Sequence, residues 1–331
     1  MDDLLSNATM DVVLSNDNMN DNRSDEIVAG AAVLTVGLIG NALNVAAVVM
    51  IYRTPPLHNA FGFICASHLL ADIGLLTVFS FWAAPMLLFG FSESVTHSFI
   101  GERMGQLVSM FWYASIYGHF QIAVNRLMAI KYPVTYRRIF SNRGTTRILL
   151  VFWLIPFLQV AIQFFDDCDI TFHVELFMWS YANTECGYIF AVYVAFIHGA
   201  TLCTIVVIIN TISFFAILKE MKKLARSLSE AQEASILRNN IRLYVQGCTQ
   251  AACFVSAVLA FRYVPGQLTT RWSNFATLTI GWELVHAVDG LILIVFYEKF
   301  HALLRRPSSL WQKKNFLTSV TTISGRTTTH T

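Results

Sequence analysis

The chain has 331 residues, of which 55% are hydrophobic and only 13% charged, and its formal net charge is +2 at pH 7. Soluble domains carry about 25% charged residues, so this chain has roughly half the charge needed to coat a surface in water. A soluble enzyme, a disordered chain and a nucleic-acid-binding module are all poor readings, and an integral membrane protein is the expectation.

Residues 1–26 form a polar N-terminus with seven acids (Asp2, Asp3, Asp11, Asp17, Asp21, Asp25 and Glu26) against the single cation Arg23. This stretch lacks the basic start and apolar centre of a cleaved signal, so the first span is expected to insert as an uncleaved anchor. Asn7-Ala8-Thr9 and Asn22-Arg23-Ser24 are glycosylation sequons, making Asn7 and Asn22 candidate sites, with Asn22 close to the membrane. A helix needs about 20 apolar residues to cross a bilayer core. Seven stretches of about that length carry little or no charge: 27–52, 60–92, 104–125, 148–165, 186–218, 243–261 and 272–297. They predict an all-α bundle of seven transmembrane helices over residues 27–297. The fourth is the weakest, being short and interrupted by Pro156. A β-barrel would need alternating strands of about 10 residues, and these runs are continuous. Residues 298–306 place Phe300, Leu303 and Leu304 on one face, as in a short helix lying on a membrane surface. Residues 307–331 are polar and predict a disordered cytoplasmic tail.

The basic residues set an orientation. Eighteen of the 23 Lys and Arg fall on one side of the predicted bundle, four on the other, and Arg126 stands at the mouth between. The positive-inside rule then puts the N-terminus outside and the C-terminus in the cytosol. Cys65, Cys203, Cys248 and Cys253 lie within spans and read as packed thiols. Cys168 and Cys186 flank an acidic loop on the oxidising side, and a disulfide between them is expected. The loop acids Asp166, Asp167, Asp169, Glu175 and Glu185 should push that loop out toward water.

Several polar residues interrupt the spans. Asn41 and Asp72 sit mid-span, where a carboxylate must face the bundle interior, a partner or water. A hydrogen-bonded network between them and an ion or proton site are both open readings. Glu283, His286 and Asp289 recur every three residues along one arc of the last span, as a structural network or, alternatively, a proton relay. Arg126 ends the third span as either a snorkelling interface cation or a coupling residue. No metal-ligand spacing, cofactor motif or catalytic signature is present, so no enzyme, metal or cofactor is expected.

Gly40-Asn41 in span one, Leu69-Leu70-Ala71-Asp72 in span two and Asn125-Arg126-Leu127 ending span three resemble a rhodopsin-like G-protein-coupled receptor. More narrowly, the chain resembles a nematode chemoreceptor of the serpentine receptor class x type. Carrying that likeness are Asn59-Ala60-Phe61-Gly62, Tyr132-Pro133 with Tyr136 and Phe140-Ser141, Cys168 with Trp179 and Cys186, and His286-Ala287-Val288-Asp289-Gly290. The resemblance implies a sensory-neuron receptor in the plasma membrane that signals through a heterotrimeric G protein. Its coupling surface would be Asn125, Arg126, Arg137 and Arg138, and Ser109, Trp112 and Tyr113 would meet a small-molecule ligand. The ligand would be neutral or weakly polar, because Val108 stands where amine receptors carry an acid. Other partners would be the lipid bilayer and, at the Ser/Thr tail, an arrestin or a kinase; nucleic acid is not among them. There are departures from the wider pattern. No cysteine stands near Gly101, Asn125 replaces the usual acid beside Arg126, and Asp289-Gly290 replaces Asn-Pro. Spans five to seven hold no proline, so the kinked helices usual there are not expected. A proton-coupled transporter using Asp72, Glu283, His286 and Asp289 is the rival reading, and a channel subunit is a third.

Overall fold

The computed structural model describes residues 2–164, 168–224, 230–263 and 270–296, with side chains outside 2–21, 221, 223–224, 230–244, 246 and 261. The expected surface helix 298–306, the tail 307–331 and the Asn7 side chain lie outside the described residues. Seven long helices make the bundle: α1 (Asp2–Arg53), α2 (Ala60–Phe89), α3 (Phe99–Lys131), α4 (Asn142–Phe164), α5 (Glu185–Glu220), α6 (Glu230–Tyr263) and α7 (Arg271–Phe296). Helix α1 continues back through the acidic segment, and α4 runs unbroken through Pro156.

Helix starts are written in the sequence. Asn59, Ser98, Ser141 and Thr184 each accept from the backbone N–H three residues on, which belongs in turn to Gly62, Gly101, Gly144 and Gly187. The cap satisfies an N–H that has no partner inside the helix. The glycine is needed because a Cβ there would run into a carbonyl of the preceding loop, such as Leu57 O beside Gly62. Asn59-Ala60-Phe61-Gly62 is therefore a tight loop-to-helix entry. At the other end of α2, Gly90 turns with φ 66°, and the Arg23 guanidinium lies where a Cβ would be, donating to Leu87 O and Leu88 O.

Five of the seven helices (α1, α2, α4, α5 and α7) are long and apolar enough to cross a membrane. Helix α3 differs because it is central. It packs on α2, α4 and α5 and buries Gln106, Ser109, Ser115, His119, Gln121 and Asn125, so protein side chains rather than lipid are its solvent. Around the rim the pattern inverts. Helix α4 buries only Thr145, Pro156, Val160 and Gln163 and exposes Leu150, Leu154, Phe157 and Leu158. An apolar exterior of this extent suits hydrocarbon, where only backbone-satisfied elements survive.

The missing prolines do not leave α5 and α7 regular, whereas α6 is an unbroken α-helix. Wide π-helical turns interrupt α2 at Phe79–Ala83, α5 at Phe190–Ile197 and α7 at Phe275–Ile280. Such turns break the regular hydrogen-bond ladder as a proline would.

The loop before α5 forms an antiparallel hairpin, β1 (Ile170–His173) with β2 (Met178–Tyr181), in the register Ile170↔Tyr181 to His173↔Met178. Rather than standing out in water, it folds into one mouth of the bundle and buries Phe172, Phe177 and Trp179. Glu175 and Glu185 stay exposed; Asp166 and Asp167 lie outside the described residues. The acids keep their water on one side while the aromatic residues supply the burial that decides the position. The hairpin also reaches α3 closely, since a Cβ on Gly105 would meet Ile170 O.

Candidate functional site

Cys168 and Cys186 form a disulfide with a Cα–Cα distance of 5.0 Å. It closes the loop that carries the hairpin, while Thr279 Oγ1 on α7 donates to Phe177 O at 2.5 Å. The hairpin is thus a roof held to α7 and braced at its own base. Burial raises the Tyr181 phenol above its ordinary pKa, keeping it neutral beneath that roof.

Below the roof is a cavity of about 280 Å³, lined by Ser109, Trp112, Ile170, Tyr181, Val258 and Trp282 with residues of α5. Its walls are mostly aromatic and aliphatic, with the Ser109 and Tyr181 hydroxyls and Arg262 as polar points, the composition expected of a small-molecule pocket. Ser109 and Trp112 line it. Tyr113 does not; it is fully buried behind the wall, with its hydroxyl 3.3 Å from that of Tyr181.

Beneath the cavity a polar layer crosses four helices. Asp72 on α2 accepts from Ser115 Oγ at 2.8 Å and meets His286 Nδ1 at 2.7 Å. Asp289 Oδ1 accepts from Gln250 Nε2 on α6 at 2.9 Å. His68 Nε2 and His119 Nε2 stand 3.3 and 3.5 Å from Asp289 Oδ2. All seven of these residues are buried. Sequence reading found Asp72, His286 and Asp289 but missed His68, Ser115, His119 and Gln250. The available signal was modest: His68 and His119 lie one helical turn from Asp72 and Ser115, inside apolar runs.

Two expected members stand apart. Asn41 is not bonded to Asp72, and its Oδ1 is buried without a hydrogen-bond partner. Asn44, almost one turn on, points inward instead and donates to His286 O at 3.0 Å, because Gly290 on α7 leaves room that a Cβ would fill. Both Glu283 oxygens are also buried without a hydrogen-bond partner, with Oε1 close to Gly37.

Trp112 joins the cavity to the layer. It lines the cavity, stacks on Phe254 with ring centroids 5.3 Å apart, and meets the His286 ring edge-on at 5.6 Å. Phe254 in turn lies 4.3 Å from the His119 ring.

At the far end a second cavity of about 240 Å³ is lined by Asn125, Arg126, Asn210, Ser213, Phe61 and Tyr136, among others. The Arg126 guanidinium lies 5.5 Å over the Phe61 ring and against Gly247 of α6. It turns between helices rather than out along a membrane interface. Asn125 is buried, whereas Arg137 and Arg138 are exposed on the short helix Pro133–Ile139. Asn22 is exposed on α1.

The family described as "Serpentine type 7TM GPCR chemoreceptor Srx" matches residues 34–297. Among curated proteins, Serpentine receptor class X 45 of Caenorhabditis elegans is 27% identical over 294 residues, covering 85% of this chain and 81% of that protein. Serpentine receptor class X-43 of the same organism is 21% identical over 287 residues, covering 86% and 88%. Among solved structures, squid rhodopsin has the same fold, with a TM-score of 0.67 at 17% identity over 88% of this chain and 89% of that one.

Proposed function

Because the chain belongs to the serpentine 7TM chemoreceptor family Srx, we propose that it is a chemosensory receptor in the plasma membrane of a sensory neuron. It binds an external small molecule under the hairpin roof and activates a heterotrimeric G protein at the Arg126 end. The 18 to 4 distribution of basic residues supports a hairpin end that faces outside and an Arg126 end that faces the cytosol.

The observation that carries the reading is Trp112. One side chain contacts both the cavity and the polar layer, so a ligand pressing on the indole alters the contacts of His286 and Phe254. A ligand shifts an equilibrium only by its differential affinity for the two states, and Trp112 is where that difference would arise. The cavity's apolar walls favour a neutral or weakly polar ligand. At the far end the Arg126 guanidinium, permanently charged and with five donors, would exchange contacts between helices for contacts with an inserted partner. Asn125, Arg137 and Arg138 extend that surface.

The test is a panel of small neutral volatile and polar compounds applied to cells expressing the receptor, read by second messenger. A saturable response that Trp112→Ala abolishes at equal surface expression is expected. A buried layer of acids and histidines would equally serve proton transport, so ion flux is measured in parallel. Flux with no second-messenger response would replace the receptor reading with the transporter one.

A further inference from the structure

Within the polar layer, three donor atoms from three helices face one another. They are His68 Nε2 on α2, His119 Nε2 on α3 and Asp289 Oδ2 on α7, and all lie within 4.8 Å of one another. The three residues are 3%, 7% and 2% exposed, and none of these atoms has a hydrogen-bond partner. Buried polar atoms are rarely left bare, and three bare atoms sharing one point call for a ligand. An ordinary N–H···O contact falls near 2.7–3.2 Å, but both Nε2 atoms stop short of Asp289 Oδ2, at 3.3 and 3.5 Å.

Those separations suit a different geometry. In a tetrahedral site with metal–ligand bonds of 2.0–2.2 Å, neighbouring ligand atoms lie about 3.3–3.6 Å apart. The surrounding bonds have the form that metal ligands need, with the second polar atom of Asp289 and of His68 occupied and the first left free. Asp289 Oδ1 is held by Gln250 Nε2 at 2.9 Å, and His68 Nδ1 lies 3.4 Å from Ser115 Oγ. Asp72 repeats the pattern. Its Oδ1 is taken by Ser115 and His286, and its Oδ2 is bare, 3.4 Å from His68 Nε2. Asp72 Oδ2 is therefore the neighbouring acceptor for a water in the fourth position.

We propose that His68, His119 and Asp289 form a binding site for a divalent transition-metal ion of the zinc class, tying α2, α3 and α7 together. Imidazole nitrogen with carboxylate oxygen selects zinc and its neighbours, whereas magnesium and calcium take oxygen alone. The dication also compensates the charge of two buried carboxylates. The site lies between the two cavities, and a metal held there stabilises the arrangement of α2, α3 and α7 seen here over any other. That last consequence rests on the receptor reading; the metal site itself does not.

One surface cluster would confuse a metal assay. Glu93, His97 and His173 also bring ligand atoms together at the hairpin end, less buried than the core set. The experiment therefore uses full-length receptor in detergent with His97→Ala and His173→Ala, probed with zinc chloride and cobalt chloride alone. Expected are about one zinc retained per chain after dialysis and a Tm raised by about 5 °C or more in excess zinc, reversed by a chelator. Cobalt should give the strong visible bands of tetrahedral nitrogen and oxygen ligation. His68→Ala or His119→Ala, added to that protein, should remove all three signals. The proposal is overturned if the His97/His173 variant neither retains metal nor gains Tm with zinc, or if the zinc effect survives His119→Ala. Should the His68 and His119 variants fail to fold, the cobalt spectrum decides: absence of tetrahedral bands ends it.

Discussion

The two cavities are close in size, about 280 and 240 Å³, and both have mostly apolar walls, but they differ in the polar groups set into those walls. The one at the hairpin end has aromatic and aliphatic walls and a roof stapled by Cys168–Cys186. At the Arg126 end, an arginine, three asparagines and a serine are set among Phe61, Ala129, Ile130, Phe214 and Ile217. An apolar, roofed space rewards a small ligand for leaving water. An apolar cleft studded with amides and a guanidinium rewards a partner that brings hydrogen-bonding groups along with apolar ones. Each end therefore suits a different kind of visitor, and the seven-residue polar layer lies between them, joined to the roofed cavity through Trp112.

The largest effect should come from filling the roofed cavity. Ala195→Trp puts an indole into a space bounded by Trp112, Phe196 and Val258. Ligand potency is expected to fall about 100-fold, or 2.7 kcal/mol, at unchanged surface expression. Potency left intact would mean that the ligand sits elsewhere.

The opposite end is broken with Arg126→Lys and Arg126→Ala. Ligand binding should persist while G-protein activation falls at least about tenfold in both, because a lysine cannot reproduce a planar guanidinium over Phe61. A lysine variant with full activation would reduce Arg126 to an anchoring cation.

Unstapling the roof should matter less. Cys168→Ser with Cys186→Ser frees a loop with a sequence separation of 18, for which the chain-entropy estimate is about 3 kcal/mol. Phe172, Phe177 and Trp179 still hold the hairpin down. The expected outcome is a Tm lower by a few degrees and a severalfold loss of ligand affinity. Loss of all binding would show that the covalent tie, and not apolar burial, keeps the roof in place.

The smallest effect concerns the rim. Arg271 bonds the Asp25 carboxylate and holds its pKa below the usual value, with Trp272 Nε1 donating at 3.2 Å. A carboxylate lowered on folding stabilises above its unfolded pKa, about 3.9, and loses that contribution as pH falls through the folded value. The pair is solvent-accessible and weakly coupled to the core. Asp25→Asn should therefore lower Tm barely measurably at pH 7, and the difference from wild type should vanish under strongly acidic conditions.

Much of the architecture was legible before any coordinates. Hydropathy marked seven spans because lipid demands about 20 apolar residues in a row, whereas the caps Asn59, Ser98, Ser141 and Thr184 came to light only in the structure. The disulfide followed from where its two cysteines fall. Side-chain direction was not legible. Asn41 and Asn44 differ by most of a turn, and only the approach of α7 at Gly290 selects Asn44. Counting acids placed the loop between Cys168 and Cys186 out in water, but the burial of Phe172, Phe177 and Trp179 outweighed them. Missing prolines suggested unkinked helices, and in α5 and α7 π-helical turns supply the irregularity instead.

The polar layer shows the limit most clearly. From sequence alone, Asp72, His286 and Asp289 are polar groups that must avoid lipid, and that much is determined, since a bilayer offers no alternative partner. Which groups they meet is decided only when α2, α3, α6 and α7 pack. Residues 68, 119, 250 and 289 are far apart in the chain, and no spacing rule joins them. Helical periodicity specifies a face, but the rotation and depth of each helix against its neighbours set which atoms of that face come within a few ångströms.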